Sequence, residues 1–85
     1  MAYTVLVSSR AARDLRSLDT QTRRRVQTHL EALADDPFPP GRKKLQGQTA
    51  ETWRIRVGEF RILYDVDQST VTVLVLRVRN RKDAY

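Results

Sequence analysis

Residues 53–67, WRIRVGEFRILYDVD, read as two strands joined by a tight turn. Apolar residues alternate from Trp53 to Val57 and again from Phe60 to Val66, the period of two that half-buried strands require. Between them Gly58-Glu59 is a two-residue connection with glycine first, the composition of a type II′ hairpin turn. With that turn Val57 faces Phe60, and Arg56 faces Arg61. Trp53, Ile55, Val57, Phe60, Ile62, Tyr64 and Val66 then share one face, the expected core face. A third strand over 70–78 (TVTVLVLRV) adds Val71, Val73 and Val75 to it. The other face carries Arg54, Arg56 and Arg61, with Leu63, Leu74 and Leu76 beside them.

That second face contains a cost. Two arginines directly opposed across a strand pair repel by roughly 0.2–1 kcal/mol relative to a neutral pair, and Arg54 adds a third charge about 7 Å away. A purely structural sheet would favour Thr, Glu or mixed-charge pairs there. Three arginines, with Asp65 the one acid on the shared face of these two strands, have the pattern of an anion site. The bland reading is a solvated basic face partly neutralised by Asp65, Glu59 or Asp83.

Toward the N-terminus, Tyr3–Val7 alternate as a first strand, and Ser8 or Ser9 can cap the helix that follows. Ala11, Leu15 and Leu18 recur on one helical face. Leu18-Asp19-Thr20 breaks the pattern and offers a second cap. The next helix turns Val26, Leu30 and Leu33 inward and ends at Asp35-Asp36-Pro37, because the residue before proline avoids the helical region. Residues 37–44 read as a loop stiffened by three prolines. The class is α+β: an N-terminal strand and two helices covering the apolar face of a sheet.

Length and composition bound the rest. Eighty-five residues support one domain, 1–85. The net charge of +6 comes mostly from arginine, whose planar fork matches phosphate in two-point contact. Such a chain is drawn to nucleic acid or to an acidic protein. With no cysteine there is no disulfide and no thiolate metal site. The sequence contains no signal peptide pattern and no apolar run of about 18 residues, so a cytoplasmic location is expected. No phosphate-binding glycine loop or metal-ligand cluster is present, and no cofactor is expected.

KKLQG (43–47), WRIRVGEFRILYDVD (53–67) and TVTVLVLRVRNRKDAY (70–85) together resemble the RelE-type toxins of the RelE/ParE superfamily. The resemblance spans most of the chain. It implies a RelE-like fold, with the leading strand and helical hairpin packed on a twisted antiparallel sheet. It also implies ribosome-dependent cleavage of messenger RNA, held off by a cognate antitoxin. Its basic active-surface positions fall on Arg54, Arg56, Arg61 and Arg81, and its terminal tyrosine falls on Tyr85. Asn80 stands where many members carry histidine or lysine, and Arg79 where glycine is common.

RNA is cut without metal when its 2′-hydroxyl attacks the adjacent phosphorus in line. Charge then grows on the non-bridging oxygens, where fixed cations lower the barrier. Arg61 and Arg81 are the catalytic candidates for that role. Arg54, Arg56, Lys43 and Lys44 are the RNA-binding candidates. Arginine keeps its proton at ordinary pH and is a poor base, which leaves Tyr85 as the acid–base or stacking group. His29, the one histidine, reads as a helix-edge residue, and Arg23-Arg24-Arg25 as a solvated charge run. Two other readings stay open: a ParE-like toxin aimed at DNA gyrase, and an RNA- or ribosome-binding module without catalysis.

Overall fold

The computed structural model describes residues 2–44 and 52–80. In them β1 (Thr4–Val7), α1 (Ser9–Arg16), α2 (Thr20–Asp35), β2 (Lys43–Lys44), β3 (Thr52–Val57), β4 (Phe60–Asp67) and β5 (Thr72–Asn80) follow in order. The fold is α+β, with two helices on one face of a five-stranded sheet of order β1-β5-β4-β3-β2.

The β3–β4 hairpin forms as its sequence dictates. Gly58 has φ +60°, while Glu59 keeps a negative φ. A type I′ turn would need positive φ at both positions, so glycine alone supplies what type II′ requires. The register opposes Val57 to Phe60, Arg56 to Arg61 and Trp53 to Tyr64. Ile55, Val57, Ile62, Tyr64 and Val66 are buried with Val73, Val75 and Val78 of β5. Ala11, Leu18, Val26, Leu30 and Leu33 close over them from the helices. Phe60, Trp53 and Leu15 pack at the margin, half-buried.

Local hydrogen bonds place both helices. Ser8 Oγ accepts from the backbone N–H of Ala11, and Asp19 accepts from that of Thr22, so each helix start has a side-chain cap. Arg23 is bound rather than solvated. Its guanidinium donates to the carbonyls of Leu15, Arg16 and Leu18, satisfying the C-terminal end of α1 and locking α2 beside it.

Asp14, by sequence a local helix charge, ties α1 to the sheet. Its carboxylate accepts from Arg77 Nε at 2.8 Å, Arg77 Nη2 at 3.2 Å and the Val78 backbone N–H at 2.9 Å. β1 ends opposite Val75, and Asp14 takes over that edge of β5 beyond it. Partial burial works against ionisation. The hydrogen bonds from Arg77 and Val78, with the charges of Arg77 and Arg79, outweigh it and hold the carboxyl below its usual range. A depressed folded-state value contributes stability above the unfolded value, near 3.8, that is lost as pH falls through the folded one. Asp14→Asn should therefore cost about 1–3 kcal/mol at neutral pH, and less at an acid pH below 3.8. Urea melts at the two pH values test this, and an equal loss at both would remove the charge from the account.

Three further departures from the sequence expectations lie in the strands. The sheet is mixed rather than wholly antiparallel, because β1 runs parallel to β5, pairing Thr4 with Thr72 through Val7 with Val75. Alternation along a strand reveals its faces but neither its neighbour nor its direction. The third strand of the sequence reading begins at Thr72 rather than residue 70. Val71 lies in the preceding turn with φ +54°, a strained conformation for a β-branched residue, and is not a core position. Lys43 and Lys44, expected in a loop, form the short edge strand β2.

Candidate nucleic-acid interface

β4 is the central strand of the positively charged face, and its neighbours decide which side chains gather there. Arg56 of β3 lies opposite Arg61, and Arg61 lies opposite Arg79 of β5. Three guanidinium-bearing positions thus form a row across three strands, with opposed Cβ atoms about 4.5–5.5 Å apart. A second row runs Lys43, Arg54, Leu63, Arg77. Both rows start on the face opposite the buried Ile55, Ile62 and Val78, although Arg77 turns its guanidinium round the β5 edge onto Asp14 of α1.

Arg79 reaches that face through a β-bulge. Leu63 pairs with Arg77 but Tyr64 pairs with Val75, so Leu76 is an extra residue in β5. Without it, unbroken alternation from Val73 and Val75 would drive Arg77 and Arg79 into the core and Val78 out. The bulge reverses this, burying Val78 to 3% exposure. Sequence reasoning missed Arg77 and Arg79 on this face. The signal was available in the switch from apolar odd positions to apolar Val78.

Clefts flank the rows. One of about 210 Å³ is lined by Gly41, Lys43, Arg54 and Arg56. A smaller one of about 40 Å³ is lined by Arg56, Gly58, Glu59, Phe60 and Arg61, so a carboxylate stands at the hairpin end of the first row. Arg25 reaches from α2 to the turn. Its guanidinium nitrogen lies 3.4 Å from where a Cβ on Gly58 would stand. Asp65 is engaged elsewhere, accepting a hydrogen bond from the buried hydroxyl of Thr52.

The sequence candidates distribute as follows. Arg54, Arg56 and Arg61 share the face with Lys43. Lys44 is opposite Trp53 in the register and therefore points to the other side of the sheet edge. Arg81 and Tyr85 lie outside the described residues. Tyr64 is no substitute for Tyr85, because burial pushes its hydroxyl up to about 12, Arg42 lowering and Asp36 raising it further. Its hydroxyl donates to the Pro37 carbonyl at 2.8 Å. His29 is exposed on α2, with Nδ1 2.9 Å from the Arg25 carbonyl, an acceptor that requires the proton on that nitrogen. Among the described residues no group of His, Asp or Glu side chains could hold a metal ion, and no helix is long and apolar enough to cross a membrane.

The fold is shared with solved toxins of bacteria and archaea. The sequence matches the family described as ParE toxin of type II toxin-antitoxin system, parDE, over residues 5–85. Toxin RelG of Mycobacterium tuberculosis is 36% identical over 86 residues, covering 100% of this chain and 98% of that protein. The toxin–antitoxin complex RelBE2 of the same organism aligns with TM-score 0.83 and 33% identity over 95% of this chain and 100% of the other. An archaeal RelE–RelB complex from Pyrococcus horikoshii aligns with TM-score 0.85 and 26% identity over 99% of this chain and 100% of its counterpart. The chain belongs to the RelE/ParE superfamily and is a RelE-type toxin of a type II toxin–antitoxin system.

Proposed function

We propose that this toxin is an endoribonuclease that cuts messenger RNA on the ribosome. The observation that carries the reading is the row Arg56, Arg61, Arg79 on the outer face of the sheet. A structural sheet gains nothing from three adjacent like charges, whereas a phosphodiester passing through an anionic transition state does. In the reaction the 2′-oxygen forms a bond to phosphorus as the bond to the 5′-oxygen breaks. The 2′-hydroxyl proton leaves to a base, the 5′-oxygen takes up a proton, and a cyclic phosphate and a 5′-hydroxyl end remain. This chemistry needs no metal ion. Arg61 and Arg81 stabilise the charged oxygens, and Tyr85 moves a proton or stacks on a base. Arg54, Arg56 and Lys43 hold flanking phosphates and align the strand, a positioning effect.

Toxin–antitoxin complexes among the structural relatives support an antitoxin partner; one encoded beside the gene would cover this face in the resting cell. A partner of opposite charge would associate fast and with steep salt dependence. Primer extension on a translated messenger with purified ribosomes is the direct test. Discrete cuts in the decoding site are the expected result. The family description names the ParE branch, so gyrase-dependent DNA breaks without cuts would move the protein to that activity. Growth should stop when the toxin is expressed alone and recover on co-expression with the neighbouring gene.

A further inference from the structure

At the sheet edge, beside the basic rows, an arginine is held in a fixed place by aromatic rings. Phe38 and Trp53 meet edge to face, with ring centroids 5.8 Å apart and planes at 80°. The Arg42 guanidinium carbon sits in the corner between them, 5.1 Å from the Trp53 centroid and 5.5 Å from that of Phe38. Arg42 Nη1 donates to the carbonyls of Phe38 at 2.9 Å and Pro39 at 3.3 Å. The loop beneath is itself fastened, since Tyr64 donates to the Pro37 carbonyl from the core. Arg42 is nonetheless exposed. It leads directly into Lys43, which shares the 210 Å³ cleft with Arg54 and Arg56.

A surface arginine ordinarily samples many rotamers and loses that freedom on binding. Here the loss is already incurred in the free protein, and one side of the group remains open. Arginine planes and aromatic rings are the surfaces on which unstacked RNA bases settle. We propose that Arg42, backed by Trp53 and Phe38, is a stacking platform for a nucleobase of single-stranded RNA. The adjoining phosphate of that strand lies on Lys44, which pairs with Trp53 on the same side of the edge. The inference rests on the reading that single-stranded RNA is the substrate, but it concerns grip, not cutting.

Trp53 is the only tryptophan, so its fluorescence reports on the platform directly. The probe is a short 2′-O-methyl RNA, which this reaction cannot cut, compared with an abasic strand carrying the same phosphates, both without ribosomes. The base-bearing strand should quench Trp53 and bind about five- to 160-fold tighter than the abasic one, the range of one stacked base. Arg42→Lys keeps the charge and loses the plane. It should abolish most of that difference while leaving abasic binding unchanged. Equal affinity of the two strands for the wild-type toxin, or an undiminished difference in Arg42→Lys, overturns the platform. Cleavage on ribosomes is scored separately, so a toxin that cuts nothing yet discriminates the strands would sink the nuclease reading and leave the platform standing.

Discussion

Arg61→Ala should give a folded toxin that binds ribosomes and cuts about 10²–10³-fold more slowly, the usual effect of removing one preorganised charge from an anionic transition state. Arg61 is the middle of its row, opposed by Arg56 on one side and Arg79 on the other. Its removal relieves two like-charge contacts, each worth roughly 0.2–1 kcal/mol. Against that stands lost packing of its half-buried aliphatic stem. The melting temperature should stay within a few degrees of wild type. Arg61→Lys retains a charge without the fork and should fall between the two in rate. Single-turnover cleavage at saturating ribosomes isolates the chemical step from binding. Wild-type rates in Arg61→Ala would remove Arg61 from the site, and a collapsed protein would make the arginine row structural.

The fold was legible wherever the signal was local. The caps at Ser8 and Asp19, the inward faces of both helices and the Gly58-Glu59 turn all follow from residue chemistry within a few positions. The missed features depend on long-range partners. Whether Tyr3–Val7 would join an edge, and in which direction, rests on contacts with β5 some 68 residues away, such as the Ser8 hydroxyl on the Leu76 carbonyl. Asp14 and Arg23 each looked like surface charges because their partners, Arg77 and the end of α1, are brought together only by folding.

The site divides the same way. Arg54, Arg56 and Arg61 were readable because one hairpin sets their alignment. Arg79 was not, because a single extra residue at Leu76 reverses which side of β5 faces the core. Lys43 and Lys44 looked equivalent as neighbours in a loop. Their pairing with β3 sends one toward Arg54 and the other toward Trp53. Arg42 carried no sequence signal at all, since nothing in the order PFPPGR says that its guanidinium will settle between Phe38 and Trp53.

Ile62→Ala should produce the opposite phenotype from the residue next to it. Ile62 is fully buried in the central strand, on the face away from Arg61. Truncating it removes a branched side chain from beneath the row and leaves a cavity that the surrounding valines cannot fill, a loss of about 2–5 kcal/mol. A chain of this length has a total stability of about 4–13 kcal/mol, so the change takes a large share of it. The melting temperature should fall by about 10–30 °C. Toxicity in cells should fall with it, because the unfolded fraction grows, and should return at lower growth temperature. The arginine row itself is untouched. Cleavage per folded molecule, measured well below the melting point, should therefore stay within a few-fold of wild type. Activity lost in a fully folded Ile62→Ala protein would mean that the exact height of β4 tunes the arginine row, and that core and site cannot be treated as independent faces of one strand.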